Sequence, residues 1–282
     1  ARCVTRGDVS LPRFTMLMFL VLSVANCGIA SNKFFHISFI RSVFSTGRRS
    51  WIHDGAVNAA VFHTEIRDLQ VTADAGSCSS RIVFNVPKAH TTGVEAEFAV
   101  SPAPGFDLSV AGSYVSAEFD SDVTTDSGSI IAGIRKGNRL PTVPRFQMAA
   151  TATYGQRFSD NAEWYASASV QHVGNRITQP SDQEPGAGNF GNMIFYDPDT
   201  GAFGSGAFDF TSRLKLPSYD LVNLSTGIEW DHGLEIVAYV NNLFDENALL
   251  SFDRERGGRA RLGFNVGQPR TIGITIRKRF GD

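Results

Sequence analysis

From residue 56 onward the chain places apolar residues at every second position, segment after segment, and that beat is the period of an extended strand. Val94, Ala96, Phe98 and Val100 oppose Gly93, Glu95, Glu97 and Ala99. Phe146, Met148, Ala150, Ala152 and Tyr154 oppose Gln147, Thr151 and Thr153. Trp164, Ala166, Ala168 and Val170 oppose Glu163, Ser167, Ser169 and Gln171, while Val222, Leu224, Thr226, Ile228 and Trp230 oppose Asn223, Ser225, Gly227 and Glu229. Near the end, Ile272, Ile274 and Ile276 oppose Thr271, Gly273, Thr275 and Arg277. No stretch after residue 56 holds a helical period over a helical length, so the region is expected to be all-β. Candidate strands cover 56–71, 89–101, 106–119, 144–155, 163–174, 218–230, 233–241 and 270–280. Such a beat fits a soluble sheet with one wet face, and equally a barrel with lipid outside and a polar lumen.

The connections separate these two. In order they run 72–88, 102–105, 120–143, 156–162, 175–217, 231–232 and 242–269, long alternating with short. Outer-membrane barrels have this asymmetry, with short periplasmic turns and long extracellular loops. Compact soluble sheets keep most connections short, and a loop spanning 175–217 counts against a simple sandwich. The candidate strands also suit a tilted membrane strand better than the usual five or six residues. The expected fold is therefore an antiparallel transmembrane β-barrel, or a partial barrel sheet, of about eight strands. Closure into eight would require 56–71 to pair with 270–280; otherwise the strands form a curved piece of a larger barrel. Tyr114, Phe119, Tyr154, Trp164, Tyr219 and Trp230 lie near strand ends, either as interfacial girdles or as ordinary rim packing.

Composition excludes several function classes. A formal charge of -2 and a pI near 6.3 supply no broad basic field for nucleic acid. A mean hydropathy of -0.09 is unlike a helical membrane protein, and a dyad pattern averages to such a value. Cys3, Cys27 and Cys78 have neither metal spacing nor the even count of a disulfide framework. The histidines at 36, 53, 63, 90, 172 and 232 form no HExxH motif, and no GxSxG or phosphate-binding loop is present. The stretch from Asp197 to Phe203 lacks the ligand count of a calcium loop. No catalytic, cofactor or metal site is expected.

Residues 1–50 differ from the rest. Thr15 to Ala30 is apolar and follows Arg13, which fits a signal-peptide core or a buried helix or strand. Residues 31–50 are mixed and basic. The expected division is a poorly matched N-terminal segment over 1–50 and a β-barrel portion over 51–282.

The last part of the chain carries specific motifs. Asn241-Asn242-Leu243-Phe244-Asp245 closes one strand, and Gly267-Gln268-Pro269-Arg270-Thr271 opens the final one, which runs to Phe280. Together with DLQVTADAG at 68–76, KAHTTGVEAEF at 88–98, GNRLPTVPRF at 137–146 and EWYASASVQHVGNR at 163–176, these blocks resemble the barrel of TonB-dependent outer-membrane receptors over about residues 54–280. The resemblance implies the C-terminal part of a plugged barrel of about 22 strands. It also implies bacterial outer-membrane localisation and active uptake of a siderophore-like or other scarce nutrient. TonB would act through an N-terminal plug, which no stretch here resembles. The terminal strand would be read by the barrel-assembly machinery, although Gly281 and Asp282 follow Phe280. The alternative is a non-transporting outer-membrane structural or surface-binding barrel.

Individual residues carry further expectations. Asn241, Asn242 and Asp245 can bond nearby backbone and start a loop, with Leu243 and Phe244 anchoring its base. Pro269, Pro141, Pro144 and Pro87 mark strand boundaries, since proline lacks a donor. Arg254, Arg256, Arg259 and Arg261, interleaved with Asp253 and Glu255, form either a contact for an anionic solute or lipopolysaccharide phosphate, or a self-paired solvated loop. His172, with Gln171 and Asn175, is a candidate polar contact or a hydrogen-bonded rim residue. Beyond solute, the expected surroundings are outer-membrane lipid and lipopolysaccharide.

Overall fold

The computed structural model describes residues 20–26, 33–45, 54–74, 81–190, 194–197, 200, 202–205, 210–255 and 261–280. Cys3, Cys27 and Cys78 lie outside these residues. Ten strands make one antiparallel meander: β1 (Leu20–Asn26), β2 (Lys33–Ser45), β3 (Asp54–Asp74), β4 (Arg81–Ala103), β5 (Phe106–Phe119), β6 (Phe146–Ser159), β7 (Ala162–Val173), β8 (Tyr219–Trp230), β9 (Leu234–Asn241) and β10 (Thr271–Lys278). Each strand pairs with its chain neighbour, and β1 and β10 are the edges of the sheet. The eight expected strands are β3 to β10. The backbone of β1 and β2 extends the sheet on the β3 side, in the region where the sequence shows no steady period.

Among the described residues β3 pairs with β2 and β4, and β10 pairs with β9, so the sheet is open. The partial-barrel alternative is the one observed.

Register assigns the two faces. One row runs Leu108, Ala152, Ala168, Leu224, Val240 and Ile272 across five ladders. The next runs Phe106, Tyr154, Ala166, Thr226, Ala238 and Ile274. This face is apolar nearly throughout, yet its large side chains stand bare: Ile272 is 73% and Ile274 72% exposed. The opposite face carries Asn58, Glu95, Glu97, Ser109, Thr151, Ser169, Asn223, Glu229, Thr275 and Arg277. A bare apolar belt opposite a polar face is the arrangement of a barrel wall, lipid outside and lumen inside.

The aromatic girdle is real but differently composed. Tyr154 and Trp164 meet edge-on at 6.0 Å on the outward face near the short turns, with Trp230 and Phe158. Tyr114 and Phe146 pair on that face towards the long loops. Phe119 and Tyr219 do not belong to it. Phe119 is buried in a cluster with Val86, Ala117, Ile134 and Leu140, and Tyr219 faces the lumen side.

Two further expectations are corrected. The connection at 72–88 shrinks to 75–80, because β3 and β4 continue well past the belt as a long hairpin. Its upper part is held by burial, with Val71 and Val86 packed in the Phe119 cluster. Pro87 therefore sits inside β4 and not at its start. It falls opposite Asp68, whose φ of 54 interrupts the ladder between Arg67–Lys88 and Leu69–Val86. A proline is tolerated where no ladder hydrogen bond is formed.

On the lumen face three rings lie flat across glycines of neighbouring strands. A Cβ on Gly93 would come within 2.5 Å of the Phe62 ring, one on Gly227 within 2.7 Å of Tyr165, and one on Gly273 would overlap the Tyr239 hydroxyl. From its place over Gly227, Tyr165 donates to Glu235 at 2.7 Å, and Arg277 also donates to Glu235. The network ties β7, β9 and β10 across β8. Replacing Gly227 by leucine must displace Tyr165 and is expected to cost about 1–3 kcal/mol, read as a reduced folded fraction in heat-modifiable gel migration. Facing has its own test. Ile274→Arg is expected to cost about 2–4 kcal/mol of folding in bilayers, and Thr275→Arg, one residue on but in the lumen, far less.

Candidate functional site

The long connections gather at one end of the wall, over the mouth. They are built structures. Residues 120–145 pack Ile134 and Leu140 onto the Phe119 cluster, with Val123 and Val143 at its edge. Residues 174–218 begin by pairing Arg176 with Leu216 and continue into a short 3₁₀ turn, Pro180–Gln183, whose Asp182 accepts from the backbone of Thr178 and Gln179. Leu214, Leu216 and Phe252 then form a second apolar cluster, which joins this loop to the hairpin Leu249–Glu255/Arg261–Val266.

Guanidinium groups lock these loops together. Arg139 donates to the Asn175 side chain at 2.8 Å, the Asn175 carbonyl at 3.0 Å and the Val143 carbonyl at 2.8 Å. Its backbone exchanges two bonds with the Gln183 amide. Burial and the nearby Arg145 guanidinium hold the Arg139 pKa below its ordinary value. Arg176, 7% exposed, lies over the Tyr219 ring at 5.0 Å and donates to the Leu249 carbonyl at 2.7 Å. Its Nε is buried with no acceptor among the described residues. Both cations are thus hydrogen-bonded to neutral oxygens or set over a π face, and the one carboxylate acting on Arg139, Glu118, does so through space and not through a hydrogen bond among the described residues. At the outer margin Arg135 clasps Glu184 with bonds of 2.8 to 3.0 Å. That clasp depresses the Glu184 pKa and raises that of Arg135.

The end of the chain forms a second lock. Asn242, 4% exposed, has a φ of 51, a left-handed conformation that asparagine tolerates. Its side chain donates to the carbonyls of Glu246 and Gln268 and accepts from the Glu246 N–H at 2.8 Å. Its own N–H reaches the Asn223 side chain at 2.9 Å. Asp245, with a φ of 56, accepts from the Arg270 N–H at 2.8 Å. Leu243 donates to the Val222 carbonyl, Gly267 donates to that of Ala248, and Gln268 caps Thr271. The two motif blocks, far apart in sequence, are therefore one hydrogen-bonded unit. Phe244 is the correction within it. It stands 72% exposed and anchors nothing among the described residues. Asn241 completes β9 opposite Thr271, and Phe280 is 88% exposed just past β10.

The remaining candidates disperse. His172 lies on the outward face, bonded to Asp220 at 2.7 Å and tilted against the Phe146 ring at 5.6 Å, away from Gln171, which faces the lumen. Arg254 and Arg261 lie in the strands of the loop hairpin, while Arg256 and Arg259 fall outside the described residues. In the loop 175–217, Phe190 pairs with Phe210, and Tyr196 with Phe203, in small two-stranded ladders; Phe208 lies outside the described residues. Sequence reasoning missed Arg139, Arg176 and Gln183. Their signal, an isolated polar residue among loop glycines and prolines, is too common to single them out.

A family model for the TonB dependent receptor-like β-barrel matches residues 44–243. The chain belongs to that family. It is an outer-membrane barrel protein. It is 26% identical over 234 residues to the pesticin receptor of Yersinia pestis, a match that covers 83% of this chain and 28% of that receptor. Among solved structures it is similar to the ferric yersiniabactin uptake receptor FyuA from Yersinia pestis, with TM-score 0.60, 22% identity, and coverage of 89% of this chain and 30% of that one. The ferric-catecholate import receptor Fiu from K12 E. coli, closed form, superposes with TM-score 0.53 at 15% identity over 92% of this chain and 30% of that one. The family member described here thus spans little more than a quarter of the length of these relatives.

Asn242→Ala leaves buried partners unsatisfied and is expected to cost on the order of 3 kcal/mol, against a few tenths for Asn241→Ala, in chemical unfolding. The Arg135–Glu184 clasp responds to acid. The folded pKa of Glu184 is depressed, so its contribution is present above the ordinary carboxylate value and is lost as pH falls through the folded one. Limited proteolysis around 180–184 is expected to speed up as pH falls below the ordinary carboxylate range, and Arg135→Ala to remove that step.

Proposed function

We propose that the chain forms the C-terminal part of the barrel of an active-uptake receptor. The cargo is a siderophore-like complex or another scarce nutrient, moved across the outer membrane by energy passed from TonB to a plug. The observation that carries this reading is the mouth. Three separate connections are joined by Arg139 and Arg176, which are held by carbonyls and a ring, with no carboxylate among their hydrogen-bond partners in the described residues. A surface of that kind favours an anionic solute, because an incoming acidic oxygen can add the hydrogen-bonded counter-charge that Glu118, which acts on Arg139 only through space, does not supply.

The relatives support the same reading. They are named as receptors for pesticin and for ferric yersiniabactin uptake. Within this proposal the hairpin carrying Arg254 and Arg261 adds solute contacts from the loop side. The terminal strand up to Phe280 engages the barrel-assembly machinery through its open edge and exposed aromatic ring.

Deleting the gene that encodes the chain is expected to abolish energy-dependent accumulation of a radioiron-labelled anionic chelate under iron limitation, and plasmid complementation to restore it. Arg139→Gln is expected to weaken uptake by about tenfold, the scale of one lost charge-assisted contact. Unchanged accumulation in the deletion strain, over a panel of iron, copper and other metal chelates, would favour the non-transporting surface barrel instead.

A further inference from the structure

The lumen face of β6, β7 and β8 carries no charged side chain from Tyr219, under the mouth, down to Gly227. At about 3.3 Å per residue this strip runs roughly 26 Å along the strand. Two of its ladder rows are made wholly of hydroxyls and an amide, Thr151–Ser169–Asn223 and Thr153–Ser167–Ser225. Charge returns in the row below Gly227, where Arg157, Glu163 and Glu229 stand side by side. The adjoining lumen wall of β3 to β5 differs, since Glu95, Glu97 and Asp107 project from it. The described wall is therefore divided into an acidic sector and a neutral, hydrogen-bonding one.

Hydroxyls and amides donate to an acidic oxygen without holding a fixed charge. The bonds they make with one another here are long. Thr153 and Ser167 share one at 3.2 Å, and Asn223 donates to Ser169 at 3.3 Å. Bonds of that length are weak and readily exchanged. Passage along a wall needs sites favourable enough to enter and weak enough to leave, and closely spaced neutral donors meet both needs. At the head of the strip Arg176, 7% exposed, lies over the Tyr219 ring, and its Nε–H has no acceptor among the described residues. An unmatched buried donor gains from any acceptor that reaches it. At the foot the charges are matched, with Arg279 and Glu229 at 3.1 Å and Arg157 and Asp231 at 2.9 Å.

We propose that the neutral strip of β6–β8 is the side of the lumen along which an anionic cargo moves from the mouth towards the periplasm, and that the Glu95–Glu97 sector is not. The inference rests on the uptake reading above and adds the wall that the cargo follows. Its physical basis is repulsion in a confined space. An acidic oxygen passing Glu95 and Glu97 meets like charge at a dielectric below that of bulk water, whereas Ser167, Ser169 and Ser225 offer it donors.

The test replaces the chromosomal copy with single variants and follows radioiron supplied as ferric citrate and as a ferric tris-catecholate. Surface binding is read in energy-depleted cells and accumulation in energised ones, with the folded fraction checked by heat-modifiable migration. Ser225→Asp is expected to slow accumulation at saturating chelate by about tenfold and to leave surface binding unchanged. Its uncharged isostere Ser225→Asn is expected to stay within about twofold of the native protein. Asn58→Asp, which adds the same charge opposite Glu97 in the acidic sector, is expected to change neither readout. Equal behaviour of the two Ser225 variants would overturn the proposal, and so would an Asn58→Asp variant slowed as much as Ser225→Asp. Where Ser225→Asp does not fold, Thr151→Asp against Thr151→Asn gives the same comparison. Native cells that neither bind nor accumulate either chelate would overturn the uptake reading and this inference with it. Native cells that do both, with the two Ser225 variants alike, would overturn the strip alone.

Discussion

Inside a bilayer a strand's N–H and C=O groups have no partner except another strand, and the rest of this structure follows from that constraint. It enforces a ladder in which each strand of the meander is matched to its neighbours, β3 through β10 without a break in order. The ladder in turn holds the dyad in phase from strand to strand, so that Leu108, Ala152, Leu224 and Ile272 share one side. One slip of register would carry charged residues such as Glu97 and Arg277 into lipid. The high exposure of Ile272 and Ile274 is the consequence of lipid acting as the missing packing partner.

Within the lumen the same economy appears in a different form. Gly93, Gly227 and Gly273 leave room for a ring from the next strand, and the ring over Gly227 then reaches a polar partner further along the wall. That ring is Tyr165, and its partner Glu235 is also held by Arg277. The mouth relies on hydrogen bonds of the fork type. Arg139 and Arg176 each satisfy carbonyls from separate connections, which turns long loops into a joined cap. The energetic cost of burying such charges is offset only by well-made partners, so these two residues determine how the loops sit.

The wall was largely legible in the sequence. Alternation located eight strands, most to within a few residues, because one face meets lipid and the other water. It underestimated β3 and β4, where the continuation above the belt is held by Val71, Val86 and Phe119 and obeys packing, not the dyad. Pro87 was misread for the same reason: a ladder break opposite Asp68 excuses it, and that break is invisible until the strands are paired. Among the site residues, Asn242 and Asp245 stood out as turn chemistry. Their partners Glu246, Gln268 and Arg270 could not be assigned, since most of these bonds join segments separated by a hairpin.

By itself the sequence determined the class of wall, its two faces, the end at which the loops gather, and the family to which it belongs. All of these depend on local periodicity and on contiguous motifs. Only the tertiary structure decided that the sheet is open among the described residues, that His172 faces outward, that Phe244 is bare, and that Arg139 and Arg176 lock the mouth. The physical reason is that a side chain's partner is set by register and loop packing, and these emerge only when distant strands are laid side by side.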